Sequence, residues 1–202
     1  MQFNVQKLTN SQKSKLKKAI DQYLIIQNEF DNNSIPLDKN PEFQKAFTDL
    51  YRLREGSWGN ELIMRSLFFK YFEMYRKFMN NCNMPDYSYI LNDLSYISDK
   101  TEKSFASKIL HTLDNEKPIL DSKVINQLNK EFPNKFSGLI KPQNKKYSLP
   151  EAKALYDAIV NCYNSLVNDA NSQSFESNFD KEFKTYSSIT LIKKIDFYLW
   201  VL

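Results

Sequence analysis

The sequence predicts an all-α fold, a single helical domain of about eight to nine helices spanning residues 1–202. Three observations carry this expectation. Only three residues in 202 are Gly and seven are Pro, too few for the many turns of a β-sandwich or propeller. Apolar residues recur at intervals of three and four along most of the chain. Polar clusters and prolines interrupt that pattern at intervals that suit helices of ordinary length.

Each element follows from those signals. Residues 9–30 form the first helix, with Leu16, Ile20, Tyr23 and Leu24 on its apolar stripe and Thr9 or Asn10 as N-cap. Asp31-Asn32-Asn33-Ser34 and Pro36 break the chain. The second helix begins near Pro41, runs through Phe43, Phe47, Leu50, Tyr51 and Arg54, and is ended by Gly56-Ser57-Trp58-Gly59. The third, residues 60–79, is apolar around much of its circumference, which places it at the centre of the core. Asp86 caps a fourth helix carrying Ile90, Leu94 and Ile97. A short polar link, residues 98–102, leads to a fifth over residues 104–113. Pro118 halts the chain, and Asp121 caps a sixth helix through Val124, Ile125 and Leu128. Residues 132–147 are the longest expected loop and hold Lys141, Lys145 and Lys146 with no acid nearby in the loop. Leu149-Pro150-Glu151 opens a seventh helix, with Pro in its tolerated first turn. A polar stretch, residues 168–174, precedes an eighth element marked by Phe175, Phe179 and Phe183. The apolar segment 189–202 closes the chain and is expected to be docked.

Composition excludes several functions. Neither G-x-G-x-x-G nor G-x-x-x-x-G-K-[ST] occurs, so no glycine-rich phosphate cradle is encoded. Two cysteines, Cys82 and Cys162, and the single histidine His111 make no metal motif. No metal and no cofactor is expected. No apolar run is long enough to span a membrane. Met1-Gln2-Phe3-Asn4 lacks the basic-then-apolar pattern of a signal peptide, and a cytoplasmic location with reduced thiols is the expectation. A net charge of +4 is compatible with a nucleic-acid partner without specifying one.

The informative segment is residues 104–124. Pro118-Ile119-Leu120-Asp121, with Val124 three residues on, resembles the aspartate-bearing segment of the helix-hairpin-helix DNA glycosylases, and Ser107-Lys108 is similar to the place where oxoguanine-type members carry a lysine nucleophile. The resemblance implies an oxoguanine-glycosylase-like fold and a protein that binds double-stranded DNA and cleaves the N-glycosidic bond of a damaged or modified base. The base must leave the stack before that bond is reachable, and cleavage builds positive charge on the sugar. By the resemblance, Asp121 stabilises that charge or activates water, and Lys108 attacks the sugar carbon. Lys141, Lys145 and Lys146 are the candidate phosphate contacts.

Plainer readings stand beside these. Asp is a favoured N-cap, Lys108 is read first as an ordinary surface lysine, and the lysine loop as a solvated one. His111 reads as a hydrogen-bonded structural residue. Arg52, Arg54 and Trp58 near Gly56 and Gly59 form a second, unspecified polar-aromatic candidate. The hairpin link has no Gly, whereas typical family hairpins are glycine-rich. That favours the alternative function, a non-catalytic helical interaction protein on the same scaffold, which leaves a protein partner open.

Overall fold

Thr9 starts the first helix with a reciprocal cap: its hydroxyl accepts the Gln12 N–H, and the Gln12 side chain accepts the Thr9 N–H. The helix, α1, runs Asn10–Asp31. The computed structural model describes residues 3–32, 34–51, 61–80, 84–142, 145–186 and 188–202, apart from the side chains of residues 61–65, 80 and 185. Among the described residues the chain forms nine α-helices and four short 3-10 turns. After α1 come α2 (Pro41–Tyr51), α3 (Glu61–Asn80), α4 (Tyr87–Ser98), α5 (Lys103–Leu113), α6 (Ser122–Glu131), α7 (Leu149–Val167), α8 (Ala170–Glu182) and α9 (Leu191–Val201). None is long and apolar enough to cross a membrane. Cys82 and the candidate cluster at Arg52, Arg54, Gly56, Trp58 and Gly59 lie outside the described residues.

One continuous apolar core runs from Val5 to Leu199. Its densest part is a set of Phe rings where α2 meets α3: Phe43, Phe47, Phe68, Phe69 and Phe72 contact one another edge-on or stacked at 5.3–6.4 Å between centroids. Such pairs contribute about 0.5–1.5 kcal/mol each beyond the area they bury. On the same face, Glu73 and Arg76 form a buried ion pair of 2.6 Å. Glu73 accepts the Leu37 N–H and Arg76 donates to the Phe30 carbonyl, so this pair fastens the α1–α2 connection.

The central helices are α5 and α9, not α3. Every residue from Phe105 to Leu113 and from Ile192 to Leu199 is buried, whereas α3 turns Ser66, Lys70 and Lys77 to solvent. The expectation failed because α5 and α9 hide lysines. Charge at a position reads as surface by default, and here it is interior. The other difference is α8, which begins at Ala170. Asp169 caps it by accepting the Asn171 N–H, so most of the polar stretch is the solvent face of its first turns.

The α4–α5 link is four residues long. Asp99 adopts φ 54°, the left-handed conformation. Gly usually fills such a position, and Asp is among the few other residues that tolerate it.

Candidate functional site

The site begins with a tie between two stretches of backbone. The Ser107 hydroxyl donates to the Ser104 carbonyl in its own helix and accepts the N–H of Leu120, each at 2.9 Å. Its chain neighbour is Lys108, and the neighbour of Leu120 is Asp121. A second clamp lies one turn on, where His111 Nδ1–H donates to the Lys117 carbonyl at 2.5 Å. Burial, followed by the nearby Lys193 charge, lowers His111 well below the usual histidine range, so the ring is neutral and structural. Ile119 and Leu120 are buried beneath this loop. Ser107→Ala would leave the buried Leu120 N–H without an acceptor. We expect a loss of about 1–3 kcal/mol in urea denaturation, with the damage centred on the 114–121 loop in hydrogen exchange.

Asp121 then caps α6, accepting the Lys123 N–H at 2.8 Å. The cap fixes the carboxylate on the wall of a cavity of about 170 Å3, which Lys108, Tyr51, Lys193, Asp196 and Trp200 also line. That volume is below the roughly 300–1,000 Å3 of sites for drug-sized ligands and close to the roughly 150 Å3 that holds a single ring such as benzene. Capping and lining the cavity are compatible roles for Asp121, and the structure gives it both.

Lys108 is not a surface lysine; its side chain is 93% withdrawn from solvent, with 7% relative exposure. Three lysines are buried among the described residues, and their partners differ. Lys194 reaches Glu176 at 3.0 Å and Asp180 at 2.9 Å, both on α8. Lys193 pairs with Asp196 at 2.9 Å, one helical turn along α9, and Asp196 also accepts the Tyr163 hydroxyl at 3.3 Å. No hydrogen bond or ion pair from a described residue reaches the Lys108 amine; its near neighbours are the Tyr51 and Phe105 rings, 5.3 and 5.7 Å from Nζ to centroid.

Burial lowers the Lys108 amine from the ordinary lysine range. The Asp121 carboxylate acts against that, Lys193 pushes the amine further down, and Asp196 and Glu102 oppose it more weakly. An amine that burial makes easier to deprotonate than an ordinary lysine is better able to act as a nucleophile. The structure thus brings Lys108 and Asp121 together.

It does not bring the three loop lysines to the cavity. The expectation of no nearby acid is corrected by Glu151 at the start of α7, which pairs with Lys141 at 2.5 Å and draws the loop closed. Lys141 also donates to the Lys146 carbonyl at 3.0 Å. Salt-bridged and accepting from the Ser148 backbone and hydroxyl, Glu151 is held down to about 2. Lys145 and Lys146 remain exposed. The loop is fastened to the α4–α5 link, since Thr101 donates its hydroxyl to the Tyr147 carbonyl at 2.6 Å and Lys103 lies 4.5 Å from the Tyr147 ring.

Sequence reasoning missed Tyr51, Lys193, Asp196 and Trp200 as site residues. For Lys193 and Asp196 a signal existed: opposite charges at i and i+3 inside the otherwise apolar segment 189–202. Nothing in the sequence marked Tyr51, a core-spaced aromatic like its neighbours. No protein-family model, curated protein or solved structure matches the chain.

Proposed function

We propose that the chain binds double-stranded DNA and cleaves the N-glycosidic bond of a damaged or modified base, in the manner of a helix-hairpin-helix glycosylase. One observation carries the reading: a largely buried lysine whose amine no described residue pairs and a carboxylate line the same cavity of about 170 Å3, with the Ser107–Leu120 tie joining their two stretches of backbone. Burying a lysine opposes folding, and a nucleophilic role gives a reason to keep it. In this reading the base enters the cavity, where Trp200 supplies an aromatic wall. Asp121 stabilises the positive charge that develops on the sugar, and Lys108 attacks the sugar carbon.

The test is base release from duplexes carrying oxoguanine, uracil or an alkylated base. Asp121→Asn keeps a good N-cap, so the fold is expected to survive while base release falls by about 10²- to 10⁴-fold. Unchanged release by this variant would sink the mechanism. Salt-dependent binding with no base release by the parent protein would instead assign the chain to the non-catalytic alternative.

The exposed Lys145 and Lys146, anchored beside the hairpin link, are the phosphate contacts of this reading. Lys145→Gln/Lys146→Gln is expected to weaken binding to all duplex sequences alike and to flatten the dependence of log K on log salt by roughly two. A slope equal to that of the parent would remove both residues from the interface.

A further inference from the structure

The cavity holds two lysines where the proposed chemistry needs one. Lys108 on α5 and Lys193 on α9 lie on the same aromatic ring, 5.3 and 5.6 Å from Nζ to the Tyr51 centroid, and both line the cavity. Burial acts to strip the proton from each, but their surroundings differ. Lys193 has the Asp196 carboxylate at 2.9 Å and faces two more rings, Phe197 at 4.4 Å and Tyr23 at 5.0 Å. Contact with a carboxylate and with ring faces favours the charged form. Lys108 has neither an ion pair nor a hydrogen bond among the described residues. Of the two, Lys193 has the surroundings that favour the ammonium form more.

We propose that Lys193 is the positioning residue of the site: a fixed cation, held by Asp196 and the surrounding rings, that opposes a second positive charge on the neighbouring Lys108 amine. The inference rests on the glycosylase reading for its purpose, though not for its electrostatics. Asp121 alone would draw a proton onto Lys108, because an opposite charge favours the ammonium. Lys193 offsets that attraction, and the charged groups acting on Lys108 are then Asp121, Lys193, Asp196 and Glu102. The site can therefore hold a carboxylate close to the reacting sugar while part of its pull on a proton at Lys108 is offset. In the step this serves, the amine lone pair forms a bond to the sugar carbon as the glycosidic bond breaks. The base leaves with the bonding pair and takes up the proton that the amine sheds, passed by way of the Asp121 carboxylate. An ammonium has no lone pair to begin this step.

The test is an NMR titration of the Lys108 side chain in the full chain, its signal assigned by its loss in Lys108→Met. The parent midpoint is expected below that of exposed lysines. In Lys193→Met it should rise by about one pH unit. Since Lys193→Met also leaves Asp196 unpaired, the deciding variant is Lys193→Met/Asp196→Asn, which removes the pair together and avoids an orphaned buried charge. Its midpoint should also rise, because Lys193 acts on Lys108 more strongly than Asp196 does. Lys193→Arg should leave the midpoint where it was. Equal midpoints in parent and double variant overturn the proposal. Borohydride trapping on the same three duplex substrates, run across pH, separates the two claims. A moved midpoint without trapping by the parent would sink the glycosylase reading and leave the charge coupling standing. Trapping with an unmoved midpoint would do the reverse. With both intact, Lys193→Met should trap about tenfold more slowly below its midpoint and the double variant more slowly than the parent by less than that, each recovering at higher pH, whereas a variant damaged only in structure would trap slowly at every pH.

Discussion

Lys108→Met is expected to stabilise the protein while abolishing base release and every borohydride-trapped adduct. The two effects share one cause. The folded-state amine is lowered below its unfolded value by burial, so the unfolded chain binds more protons and stability rises with pH. The penalty is fully present below the folded pKa and fades as pH climbs through the unfolded value, about 10.4. A methionine of similar length fills the same space beside Tyr51 and Phe105 without desolvating a charge. The gain at pH 7 is expected to be about 1–2 kcal/mol, or a rise in Tm of about 2–8 °C for a chain of this size, shrinking as pH rises toward about 10.4. Calorimetry at pH 7 and urea titrations across pH measure it. A structural lysine behaves in the opposite way, since its removal loses contacts. A fall in stability would therefore remove the observation on which the functional reading rests.

Asp196→Ala carries the largest expected loss. It leaves the Lys193 ammonium, 1% exposed, without the carboxylate that faces it at 2.9 Å, and it takes the acceptor from the Tyr163 hydroxyl. Breaking a buried pair from one side typically costs about 3–5 kcal/mol. With a urea m-value of about 1–3 kcal/mol/M, the midpoint should fall by one to several molar. Lys193→Met/Asp196→Asn should lie within about 1 kcal/mol of the parent, because removing both charges also removes both desolvation penalties. An Asp196→Ala protein as stable as the parent would mean that the pair is solvated.

Local signals account for what the sequence disclosed. Thr9, Asp86 and Asp121 each accept a backbone N–H in the first turn of the helix they were expected to open, because a cap is decided within four residues. The same locality explains the misplaced centre. The helix expected over residues 60–79 was read as the most apolar, yet burial depends on what packs around a helix, and α5 is enclosed by α1, α3, α4 and α7. Pairings distant in sequence were invisible. Lys108 and Lys193 meet on Tyr51 across 85 positions, and no periodicity announces that. Glu151 was missed for a related reason: it belongs to the next helix, and only the closed loop brings it to Lys141. Asp121 was legible twice, as a cap from its own neighbours and as a candidate carboxylate from the string around it.

The hydrogen bond from Thr101 to the Tyr147 carbonyl joins segments 46 residues apart. In the proposed reading, with a duplex as partner, this tie would hold two contact segments together. Once a phosphate engaged the α4–α5 link, the lysine loop would already be within reach, and its capture would be an intramolecular event governed by effective concentration. No further rotational freedom has to be given up for the second contact. In the proposed reading a duplex would thus be gripped by avidity within a single subunit.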